Sequence, residues 1–294
     1  MPRREPTVVF HVGAVPTASW LVQQCLQRNV DLWRRSRTYG LPKATVADQI
    51  GSGDPLVADP DTFAGTLQDA FADEDIDVVI GSRDLLGPAF GGPPGSGLHA
   101  ESDSAILALA KATRPYRRTV VLSVCPQAQL LEMHYDQAIT DRRAAGVDEW
   151  LASLDLENLS WLPLRHKLTE AFGSDAVIVH DLRRTDQGHV AFLRDVLAAA
   201  DLELPDAVAE KTPPPRLRLS DTGIRLATAA NLHLASDKER GDLRTFLRRN
   251  FSELDGPPGT VLSVLQSDAL HERYDSEFGL QQATAAADAG DGGR

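Results

Sequence analysis

A chain of 294 residues, 42% apolar and 24% charged, has enough apolar mass for a sizeable core, which excludes disorder over most of its length. With 42 acidic against 30 basic residues the net charge is −12, so the molecule as a whole repels a phosphate backbone or an anionic membrane surface, and neither nucleic acid nor membrane is expected as a partner. Two cysteines, Cys25 and Cys125, exclude a disulfide framework, and no apolar run reaches the length of a signal-peptide core or a membrane span, so a cytoplasmic protein is expected.

The first run of β-branched and aliphatic residues, Val8 to Val12, predicts a strand. The stripe Leu21, Val22, Cys25 and Leu26 then predicts a helix within Thr17 to Arg35. Further strands are predicted at Asp77 to Gly81, Thr119 to Val124 and Ala176 to His180, each apolar enough to be buried on both faces. Helical patterns fill the gaps: Asp61 to Ala72, Glu101 to Ala112, Gln127 to Arg143 and Leu162 to Phe172. Alternating strands and helices predict an α/β fold with a parallel, doubly wound sheet.

The stretch GPAFGGPPGSG, Gly87 to Gly97, breaks both helix and ladder and reads as a loop after the second predicted strand. Ligands of open α/β sheets bind at the carboxyl edge, so this loop is either a substrate lid or a surface insertion. Beyond His180 the pattern turns helical, at Gln187 to Ala200, Ser220 to Ala235, Ser236 to Phe251 and Thr260 to Tyr274, with Ser220 and Ser236 placed as N-caps. The expected organisation is one domain over 1–283, with a sheet core over about 7–182, a helical lobe over about 187–275 and a flexible tail over 284–294.

A strand that enters a helix through a tight turn leaves several backbone N–H groups pointing at one spot, where the helix dipole also favours negative charge. The turn at Gly13 has this form, with Thr17 and Ser19 as hydroxyl donors. The arginines gather at Arg114, Arg117 and Arg118, and again at Arg240, Arg244, Arg248 and Arg249, where helical spacing predicts a solvated helix face. His11 and His134 are the candidate bases, since a neutral imidazole near strand ends can accept a hydroxyl proton. Each also fits an ordinary structural histidine. The eight histidines show no metal-ligand spacing, and the segment HYDQAITD, with His134, Asp136 and Asp141, does not by itself complete a metal site.

The segment VVFHVGAVPTASWLVQQCLQRN resembles the first motif of bacterial sulfotransferases, with His11, Val12, Gly13, Thr17, Ser19, Gln23 and Asn29 in register. DVVIGSRDLL (Asp77 to Leu86) and RTVVLSVCPQAQLLEMHYDQAI (Arg118 to Ile139) are similar to that family's second and third motifs, with weaker echoes in Thr222 to Leu234 and Arg244 to Phe251. The resemblance implies a P-loop-like sulfotransferase fold with a helical C-terminal lobe. It also implies a donor site for 3′-phosphoadenosine 5′-phosphosulfate around Gly13, Thr17, Ala18, Ser19 and Trp20.

The departures lie where the family places its chemistry. Pro16 stands at the turn lysine and offers neither charge nor N–H. Cys125 and Met133 stand at the arginine and serine that grip the 3′ phosphate, and Arg83 at a glutamate that is a candidate base. Ala18 replaces the turn glycine and Trp20 a hydroxyl. Losing one preorganised donor at a developing charge typically costs on the order of 10²–10³ in rate, so four such losses leave little ordinary transfer. Three functions remain open: a sulfotransferase-family protein with a degenerate donor site and no ordinary activity, a divergent sulfotransferase acting on a hydroxyl or amine of a small molecule, or a cleft reused by another enzyme or by a scaffold that binds a small molecule or a protein partner.

Overall fold

The computed structural model describes residues 7–13, 21–22, 24–26, 38–40, 60–72, 77–81, 85–90, 96–140, 146–182, 188–212, 217–234 and 236–288. They fall into two compact units, each discontinuous in sequence. The first comprises Met1–Val124 with Ser160–Pro215, and the second Cys125–Leu159 with Arg216–Arg294.

The first unit holds a five-stranded parallel sheet in the order β2-β3-β1-β4-β5. Its strands are β1 (Thr7–Gly13), β2 (Thr38–Gly40), β3 (Asp77–Gly81), β4 (Arg117–Val124) and β5 (Val177–Asp181). The four apolar runs of the sequence are β1, β3, β4 and β5, because strands covered on both faces need no polar alternation. The three-residue β2, TYG, carries no such run and was not expected. Its helices are α1 (Pro60–Ala72) and α2 (Asp103–Ala112), while α3 (Gln127–Thr140) and α4 (Val147–Ala152) belong to the second unit. The first unit continues with α5 (Leu162–Phe172), α6 (His189–Ala198) and the short α7 (Asp206–Ala209). Successive residues of a strand face opposite sides. Phe10 of β1 meets Phe172 of α5, with ring centroids 5.8 Å apart, whereas His11 meets Phe192 of α6 at 6.0 Å. Helices therefore cover both faces, and the sheet is doubly wound as the alternation predicted.

Residues 21–22 and 24–26 are helical, and Leu21, Val22, Cys25 and Leu26 are all buried, as the predicted stripe requires. The Cys25 thiol lies 3.5 Å from the Thr212 hydroxyl, and burial raises its pKa to about 11. The glycine-rich loop is packed down at Ala89 and at the residues that flank it: Leu85, Leu86, Leu98 and His99 are also buried, and the His99 N–H donates to the Ala89 carbonyl at 2.9 Å. Residues 91–95 lie outside the described residues.

The second unit is helical, adding α8 (Asp221–Asn231), α9 (Asp237–Asn250) and α10 (Val264–Asp288). Both predicted N-caps are present. The Ser220 hydroxyl accepts from the Gly223 N–H, and Ser236 forms a capping box with Glu239. The last helix starts later than expected, behind the Ser263–Gln266 cap, and continues to Asp288 into the segment expected to be a tail. Its alanine-rich end, TAAAD, has high helix propensity.

Two buried groups organise this unit. Asp136 of α3 accepts from the Leu219 N–H at 2.7 Å and from Arg248 Nη2 of α9 at 2.7 Å. Arg248 Nη1 donates to the Leu217 carbonyl. Arg248 is thus a half-buried anchor, and the solvated helix face predicted for its run holds for Arg249 alone of that last pair. Tyr274 of α10 accepts from the Leu159 N–H at 3.0 Å and bonds the Glu157 carbonyl at 2.8 Å.

Candidate functional site

In the order 2-3-1-4-5, the chain leaves β1 toward one edge of the sheet and leaves β4 toward the other, so the topological switch point falls between the carboxyl ends of β1 and β4. This crevice is where an open α/β sheet binds ligands, and three polar residues lie near that end of the sheet on one face. Register pairs Gly13 with Ser123 and Ser123 with His180, while His11 pairs with Val121 one row below. His11, Ser123 and His180 therefore project from one face of three adjacent strands.

Phe192 of α6 covers them. Its ring meets His11 edge-on and lies 5.4 Å from the His180 ring. His180 Nε2 is 3.9 Å from the Asp195 carboxylate of the same helix. His11 Nε2 and the Ser123 hydroxyl are 2.8 Å apart, and both residues have no solvent exposure. His11 Nδ1 is buried and has no hydrogen-bond partner among the described residues. Burial first, and then the neighbouring His180, lower the His11 pKa to about 3, so the imidazole is neutral at physiological pH.

Gly13 ends β1 with a φ of +132°, a backbone conformation that L side chains rarely adopt. A methyl group added there would sit 2.2 Å from the Ser123 carbonyl oxygen. Glycine is thus required both by the backbone angle and by the close approach of β4.

Of the residues the sequence singled out, His11 and Gly13 lie together at the end of β1. Thr17, Ala18, Ser19 and Trp20, with Pro16 and Arg83, lie outside the described residues. In the second unit, Cys125 and Met133 are both buried, Cys125 completely. His134 lies on α3 two residues from Asp136, whose carboxylate is taken up by Arg248 and Leu219. Among the described residues no group of three or more His, Cys, Asp or Glu side chains could hold a metal ion. Arg117 and Arg118 sit at the opposite end of β4 from the crevice: Arg117 pairs with Asp201 at 2.6 Å, and Arg118 stacks over Phe172.

Sequence reasoning did not find Ser123, His180 or their cover Phe192. The signal was faint but present, since a serine and a histidine each fall next to last in their strands, directly after an apolar run. Among the described residues no helix is long and apolar enough to cross a membrane.

No protein-family model matches the chain, and no curated protein matches it. Among solved structures it is similar to a sulfotransferase from Alicyclobacillus acidocaldarius, with 13% of residues identical over 92% of this chain and 97% of that one, at a TM-score of 0.42.

Proposed function

We propose that this chain is a sulfotransferase-like protein whose site for 3′-phosphoadenosine 5′-phosphosulfate is degenerate, and that it does not carry out ordinary sulfuryl transfer. Its role on this reading is to bind a small molecule or a protein partner. The support from sequence is the set of departures at Pro16, Arg83, Cys125 and Met133. The observation that carries the reading is the mutual hydrogen bond of His11 and Ser123, both wholly buried at the crevice between β1 and β4.

A phosphosulfate needs donors turned outward and a cationic grip. Among the described residues, the Ser123 hydroxyl and His11 Nε2 at the crevice are buried and engaged with each other, and the residue that follows β4 is a fully buried thiol. On this reading the described groups give the donor nucleotide neither outward donors nor a cationic grip. His11 is also a poor base: a group with a pKa of about 3 has little proton affinity at neutral pH, and nothing outside the core can reach it.

The test is a titration with adenosine 3′,5′-bisphosphate, followed by calorimetry and by thermal shift. No saturable binding is expected, and micromolar affinity would sink the reading. The triple variant Pro16→Lys, Ala18→Gly and Cys125→Arg tests the alignment from the other side, with recovered nucleotide binding as the supporting outcome.

A further inference from the structure

We draw no further inference here: the strongest candidate, the amino-terminal turn of α2 where Lys167 meets Asp103 and the Ser102 hydroxyl is buried without a partner, rests on a helix N-terminus alone, because Ser102 has helical backbone angles, makes no cap hydrogen bond and shares the buried stripe of Ile106 and Leu109, so nothing shows its side chain directed at an anion.

Discussion

The imidazole of His11 and the hydroxyl of Ser123 join β1 to β4 through a 2.8 Å hydrogen bond that solvent does not reach. Because burial lowers the His11 pKa from 6.5 to about 3, the unfolded chain binds a proton more readily than the folded one between those values. Stability from this group is complete above pH 6.5 and is lost as the pH falls toward 3, at up to about 1.4 kcal/mol per pH unit. Thermal unfolding of His11→Gln, compared with the parent between pH 7 and pH 4, should show a flatter pH dependence. Parallel curves would contradict this assignment.

Gly13→Ala should be among the most damaging single changes in the sheet. It combines an unfavourable φ with a contact at 2.2 Å to the Ser123 carbonyl, and roughly 3 kcal/mol of stability is expected to go. Urea denaturation measures the loss. A change below about 0.5 kcal/mol would mean that β1 and β4 do not approach so closely.

In the helical unit, Arg248→Ala leaves the Asp136 carboxylate buried beside a single remaining N–H donor. Removing one partner of a buried pair costs about 3–5 kcal/mol, whereas Arg249→Ala, on the exposed face, should stay within about 0.5 kcal/mol. Equal effects at the two neighbouring arginines would refute the anchor. Tyr274→Phe removes the acceptor of the Leu159 N–H and should cost about 1–2 kcal/mol by the same denaturation assay.

Cys25 and Cys125 are both buried and not joined in a disulfide, and the Cys25 pKa is pushed up to about 11. Neither should react with a disulfide reagent at pH 8 in the native protein, while two equivalents should react after unfolding. Rapid native labelling of Cys25 would show that its helix does not pack as described.

The sheet was largely legible in the sequence because doubly covered strands announce themselves as apolar runs, and the caps at Ser220 and Ser236 because capping is a local interaction. What stayed hidden was long-range. His11 finds Ser123, and Arg248 finds Asp136, across a sequence separation of 112 in each case, and no periodicity encodes such a pairing. Arg248 thus read as one more charge on a helix face, and Asp136 as part of a helix segment that does not complete a metal site. At the candidate site the strand carrying His11 was predicted, but its covering ring and its partner hydroxyl come from elements far along the chain.

The interleaving of the two units along the chain also constrains how the protein is made. The sheet unit is incomplete until residues near 215 have left the ribosome, since β5 and α6 follow a detour of 35 residues that belongs to the helical unit, Cys125–Leu159. That detour carries Asp136, so a fragment cut at residue 216 would retain Arg248 without its carboxylate. Neither unit is a contiguous cassette that could be expressed, swapped or shed by a single cleavage.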